Sequence, residues 1–188
     1  MTIFKLAVLA TALCMATIPA TAENTNSSGD VSSTIILTVS GEVGNPTRTG
    51  SDEAIDKFFD YNNLSFEKAA QFDFFGLATL NQQTITTDFP MGGDTVTFEG
   101  PLLSDVLNAA GAAGDTVTLT ALDGYAIEVP FQELVDKGAV LALARDGIPF
   151  GIGDFGPTQL VFPRSDREDL ADMNDDWWIW SIYYINVE

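Results

Sequence analysis

Histidine is absent from the chain, and cysteine occurs once, at Cys14. The usual zinc sites need imidazole or thiolate ligands, and Ser–His or Cys–His catalysis needs an imidazole base. Neither set can be assembled here. Cys14 falls in an N-terminal apolar segment that reads as a targeting signal. Once that segment is removed, no disulfide, thiol nucleophile or thiolate ligand remains. Basic residues are also scarce, 8 Lys and Arg against 27 Asp and Glu, a net charge of −19. Loss of Lys5 with the signal takes the net charge one further, to −20. A surface of that sign repels nucleic acid and anionic lipid, so neither is an expected partner. Long apolar runs are missing too, since Leu6 to Ile18 is too short for a membrane span.

What is present at the N-terminus fits a secretory signal. Lys5 supplies a weakly positive start, Leu6 to Ile18 the apolar stretch, and Ala20-Thr21-Ala22 an A-x-A cleavage site before Glu23. The residue before Cys14 is Leu13, where a lipid-anchor signal needs a small residue. The expected organisation is a signal peptide over 1–22, a disordered polar arm over 23–33 and one domain over 34–188. The expected location is periplasmic or secreted, without membrane insertion after cleavage.

Within the domain, β-type patterns outnumber helical ones. Thr34 to Val39, Gln83 to Asp88, Asp94 to Glu99, Asp115 to Leu122, Tyr125 to Val129 and Thr158 to Phe162 read as strands. Asp123-Gly124 is the strongest hairpin signal in the chain. Ala139 to Arg145 is almost continuously apolar and predicts a central strand. Short helices are expected after Ser51, over Phe66 to Phe72 behind a Ser65 cap, and over Phe74 to Leu80 behind an Asp73 cap. Further helices are expected from Gly100-Pro101 to Gly111, where Pro fits the first turn, and over Phe131 to Lys137. Asn174 to Glu188 carries all three tryptophans; Pro163 to Asp176 reads as a charged loop, and the residues after it as a closing strand. The pattern predicts an α+β domain, a mixed β-sheet core with short helices.

Four blocks in order and spacing resemble the sulphite-oxidase-type molybdopterin-binding domain family. They are Phe98-Glu99-Gly100-Pro101-Leu102-Leu103 running on to Leu119-Thr120-Ala121-Leu122-Asp123-Gly124-Tyr125, then Val140 to Pro149, then Gly156-Pro157 to Pro163, and finally Trp180 to Val187. The resemblance spans about residues 34–188 and implies that family's fold. It also implies a molybdenum-ligating cysteine in the loop after the strand matching Gln83 to Asp88. The chain has Thr84-Ile85-Thr86-Thr87-Asp88-Phe89-Pro90 there, and neither Thr nor Asp offers soft sulfur. The chain is also similar to small periplasmic pterin-binding regulators of the PruR type, which lack that cysteine. That likeness implies a non-enzymatic protein holding a pterin-like ligand rather than molybdopterin. It further implies a partner, the periplasmic domain of a membrane signalling enzyme that controls cyclic-di-GMP. Where those proteins carry basic residues before the Gly-Pro, this chain has Gly151-Ile152-Gly153-Asp154-Phe155. Two alternatives stand beside this one: a molybdopterin-dependent oxidoreductase with non-Cys ligation, and a ligand-free interaction protein.

A pterin needs an aromatic face, acceptors for its amino edge and donors for its ring oxygen. Trp177, Trp178 and Trp180 offer the face. Strand alternation would put Trp178 and Trp180 on one side and Trp177 on the other, against the plainer expectation of buried core indoles. The resemblance places Trp180 at the family's C-terminal cofactor-side position. Arg145 and Arg164 are candidate donors, with carboxylate pairing as their ordinary role. Asp154, like Asp146, Asp175 and Asp176, is a candidate acceptor or a turn residue. Phe155 lies in the same Gly-rich loop. Thr87 sits where the missing cysteine would fall, as a donor or an ordinary strand threonine. The acidic loop Asp166 to Asp176 lacks the Gly and Glu spacing of a calcium loop.

Overall fold

The computed structural model describes residues 33–188. The signal peptide expected over 1–22 and the arm over 23–33, but for Ser33, lie outside the described residues. In chain order the elements are β1 (Ile35–Gly41), β2 (Arg48–Thr49), α1 (Lys57–Tyr61), β3 (Lys68–Asp73), α2 (Phe74–Ala78), β4 (Gln82–Thr87), β5 (Val96–Pro101) and α3 (Leu103–Ala110). There follow β6 (Thr116–Ala121), β7 (Ala126–Pro130), α4 (Phe131–Asp136), β8 (Val140–Ala142), β9 (Ala144–Arg145), β10 (Ile148–Pro149), β11 (Gln159–Val161) and β12 (Ile182–Val187). Two single 3-10 turns, Arg164–Asp166 and Glu168–Leu170, lie in the charged loop before β12. This is the expected α+β architecture.

The larger sheet has the order β2-β3-β1-β12-β6-β7. It is mixed, because β12 runs parallel to β1 and antiparallel to β6. The last strand of the chain therefore sits between strands already paired on their other edges. A four-stranded sheet, β10-β9-β5-β4, and the pair β11-β8 complete the domain. The main core joins Leu37 and Val39 of β1 to Val106 and Leu107 of α3 and to Leu141 and Leu160 of the small pair. On the other face of the large sheet, Phe66, Ala69, Tyr183 and Tyr184 form a second cluster with Phe59.

Several local signals act as the sequence predicts. Asp73 Oδ1 accepts the Gly76 N–H at 2.6 Å and caps α2. Asp123-Gly124 turns β6 into β7, with Asp123 Oδ1 accepting the Tyr125 N–H at 2.9 Å. Gly111 ends α3 at φ +70°, where its N–H and that of Ala112 close onto the last helical carbonyls. Gly100 has a packing reason: a Cβ there would lie 2.1 Å from the Leu141 carbonyl oxygen, so only glycine lets β5 pass β8.

Other expectations are corrected. Phe66 to Phe72 is not helical, because Lys68–Asp73 pairs along β1. Ala69 then faces the second cluster and Ala70 the main core, the alternation of a strand. Ser51 caps no helix; its hydroxyl accepts the Phe66 N–H, and α1 starts only at Lys57. Pro101 ends β5 rather than opening α3. Ala139 to Arg145 is buried as expected but splits at Leu143 into β8 and β9, which pair in different sheets.

A register shift between Ile182 and Tyr184 lets two successive tyrosines face the second cluster. The Tyr184 and Ser40 hydroxyls share a 2.6 Å hydrogen bond. The Tyr183 hydroxyl is buried and has no partner among the described residues. Burial, with a smaller contribution from Tyr184, pushes the Tyr183 phenol from its ordinary 10.0 up to about 12. The folded state thus favours the neutral phenol. That preference is fully present below the unfolded pKa and is lost as pH rises from about 10 through about 12. Tyr184→Phe should cost about 1 kcal/mol through loss of its paired hydroxyl. Tyr183→Phe should leave stability unchanged or raised at pH 7 and blunt the alkaline loss. Urea melts of both variants at pH 7 and pH 11 check this.

Candidate functional site

The register of β12 decides what surrounds the tryptophans. Ile182 pairs with Ala121, so the residues before β12 lie beside the β6–β7 turn. Just upstream, Ser181 adopts φ +58° and is 3% exposed. Its N–H donates to the Phe155 carbonyl at 2.8 Å, and its carbonyl accepts the Leu122 N–H at 2.9 Å. A left-handed non-glycine residue costs on the order of 1–3 kcal/mol and persists only where its surroundings over-determine it. Strand geometry stops there. Trp177, Trp178 and Trp180 consequently lie outside β12, which corrects the expectation of a Trp-bearing strand.

The three indoles have different surroundings. Trp178 is 4% exposed and packs against Phe89 and Phe162 at ring-centroid distances of 5.2 and 6.0 Å. Its indole N–H is buried without an acceptor among the described residues. Trp180 is 46% exposed. Both line a cleft of about 380 Å³ with Phe89 and Tyr125. Three carboxylates, Asp123, Asp175 and Asp176, line the same cleft. Tyr125 is tied to the Trp segment, its hydroxyl donating to the Asp176 carbonyl at 3.2 Å. Trp177 belongs elsewhere. It packs near Phe162, has the Lys137 ammonium 5.4 Å over its ring, and lines a separate hollow with Leu170 and Met173. The grouping expected from alternation is present, but Ser181 and the turn at Asp175 to Trp178 produce it, not a pleat.

Arg145, Asp154 and Phe155 come together in a second, smaller pocket of about 230 Å³. The Arg145 guanidinium lies 5.5 Å over the Phe155 ring and 3.9 Å from Asp146. Asp154 serves its own loop, Oδ1 accepting the Gly151 and Gly156 N–H groups at 3.1 and 2.9 Å. The two pockets adjoin through Phe89, which lines the first and lies 6.5 Å from the Phe155 ring of the second.

Thr87 and Arg164 stand apart from the cleft. Thr87 is fully buried, and its hydroxyl accepts the Ser165 N–H at 3.3 Å. Arg164 pairs with Asp88 at 2.5 Å and donates twice to the Ala171 carbonyl. Its hydrogen bond outweighs desolvation and holds the Asp88 carboxyl below the usual carboxylate range. These residues pin the charged loop to the end of β4.

The position of the family's cysteine can now be tested for fit. Thr87 and Asp88 are both engaged, and Phe89 turns inward against Phe98 and Trp178. Among the described residues no cysteine stands there to supply a sulfur ligand. The residues present do not fit a molybdenum centre, and no chemical step runs through one. Asp123, Tyr125, Phe89 and Met91 are lining residues that sequence patterns did not single out as a site. The signal for Asp123 and Tyr125 was the hairpin turn itself, since a strand pairing antiparallel to β6 places its upstream residues there.

No family model matches the chain, and no curated protein matches it. Among solved structures it is similar to the sulfane dehydrogenase SoxCD from Paracoccus pantotrophus, with a TM-score of 0.53 and 14% identity. The match covers 80% of this chain but 37% of that one, so the chain spans well under half of that protein's length. At this identity the likeness shows the fold alone. The fold is thus α+β of the sulphite-oxidase molybdopterin-binding type, as the four sequence blocks imply.

Burial separates the two cleft indoles in stability. Trp178→Ala should cost about 3–5 kcal/mol, the range for deleting a buried large aromatic. Trp180→Ala should change stability by about 0.5 kcal/mol or less, as at other surface positions. Thermal and urea unfolding of the two variants measure the contrast.

Proposed function

We propose that the protein is a non-enzymatic, periplasmic or secreted pterin-binding module. In this reading it passes its ligand state to the periplasmic domain of a membrane signalling enzyme, in the manner of the PruR-type regulators it resembles. The observation that carries the ligand reading is the cleft at Trp178 and Trp180. It offers an exposed indole for stacking, a buried indole N–H with no acceptor, and carboxylates suited to an amino-substituted ring edge. Trp180 stands half-open over that cleft, leaving part of its indole face free for a stacking ligand. The absence of histidine from the chain removes the commonest general base. The neighbouring Arg145 pocket adds a cation at the far side of Phe89, where a ring substituent or the signalling partner would be met.

Stacking on Trp180 supplies only part of the affinity. One base–aromatic stack is worth on the order of 1–3 kcal/mol, whereas a micromolar site needs about −8 kcal/mol. The polar contacts of Trp178 and the carboxylates must supply much of the remainder. Titration calorimetry with 6-hydroxymethylpterin should show saturable binding, and Trp180→Ala should weaken it on the order of 5- to 150-fold. Thr87→Val should leave it unchanged. No heat of binding at millimolar pterin would sink the reading.

A further inference from the structure

The cleft carries negative charge that no residue lining it cancels; the nearest cations, Arg145 across Phe89 and Lys137 over Trp177, line the neighbouring hollows. Asp123, Asp175 and Asp176 all line it, and none of them forms an ion pair among the described residues. No Lys or Arg lines it. The guanidinium groups of Arg48, Arg164 and Arg167 are committed to Asp56, Asp88 and Asp169 elsewhere. The remaining polar bonds of the three carboxylates are short-range and internal. Asp123 accepts from the Tyr125 N–H and Asp176 from the Asn174 amide, and neither bond neutralises a charge. The other walls are aromatic. A low-dielectric wall concentrates the field of fixed charges, and several like charges in one cleft bias entry by ligand charge. Aromatic faces beside carboxylates favour a neutral or cationic ring over an anion.

Trp178 adds a second, independent indication of what enters. It is more than nine-tenths buried, lines the cleft, and has an indole N–H without an acceptor among the described residues. A buried donor left unpaired costs its full desolvation penalty. A small shift of the Trp178 ring would open that N–H to a ring carbonyl or ring nitrogen, which would satisfy it without bringing a charge into the acidic cleft.

We propose that the Trp178–Trp180 cleft selects by charge: it takes an uncharged or cationic amino-substituted heterocycle and rejects the same ring bearing a phosphate. The inference rests on the pterin reading above and sharpens its substrate class. It also separates this site from any that would hold a phosphorylated pterin cofactor, because a phosphate needs cations or unpaired backbone N–H groups and meets three carboxylates instead. Asp175 and Asp176 are the selecting residues. The Asp175 side chain makes no hydrogen bond or ion pair to the described residues, so neutralising it breaks none.

The test compares neopterin with neopterin monophosphate on the full folded domain by calorimetry at low and high salt. Neopterin should bind at least about 10-fold more tightly at low ionic strength, and the ratio should narrow as salt screens the cleft. Asp175→Asn with Asp176→Asn should bring the two affinities within about 3-fold, chiefly by strengthening the phosphate form, with an unchanged melting curve confirming the fold. Equal affinity of both probes for the native protein, or a ratio that the double variant leaves intact, overturns the proposal while the pterin reading stands. Failure of both probes to bind overturns the pterin reading and this inference with it.

Discussion

Ser181 is the constraint on which the site depends. Held at φ +58° between the Phe155 carbonyl and the Leu122 N–H, it joins three separate stretches of chain at one buried residue. Downstream, β12 is already fixed, with β1 on one edge and β6 on the other. Upstream, the backbone leaves the pleat, so Trp178 and Trp180 share a cleft although neither is in a strand. The cost of the left-handed residue is repaid by two backbone hydrogen bonds and by the burial of Ile179 and Ile182 on either side. One end of the cleft is therefore anchored in buried, hydrogen-bonded backbone.

Much of the fold was legible because local and tertiary demands agree. The Asp123-Gly124 turn, the Asp73 cap, the Gly111 helix end and the apolar face of α3 each act as their residue types dictate. Phe66 to Phe72 misled because its local pattern is tolerable in a helix, while β1 offers it a full set of backbone partners; pairing overrode propensity. Ala139 to Arg145 misled because burial does not say which sheet a strand joins. At the site, strand alternation put Trp178 and Trp180 together for the wrong reason, because no sequence signal marks a serine that must turn left-handed. Asp123 passed as a turn residue and Tyr125 as the start of a strand. Only the pairing of β12 with β6 brings them to the indoles.

Charge and fold make separate statements about this protein. The fold is one that the distant likeness to SoxCD also displays, and a shared fold leaves chemistry open. The side chains narrow it. A chain without histidine, with Thr87 and Asp88 engaged where a metal-binding cysteine would stand, is not equipped for the metal chemistry its resemblance suggests. The cleft is acidic and aromatic-lined, the character on which the proposed pterin reading rests. The Arg145 pocket across Phe89 gives that cleft a neighbour of opposite character, and the Phe155 carbonyl links the two through Ser181.

The three tryptophans provide a direct readout, because each contributes one indole N–H signal to a nitrogen–proton correlation spectrum. On addition of pterin, the Trp178 and Trp180 signals should shift in a saturable manner, and the Trp177 signal, on its separate hollow beside Lys137, should stay in place. Shifts confined to Trp177, or three signals that do not move at saturating pterin, would contradict the account.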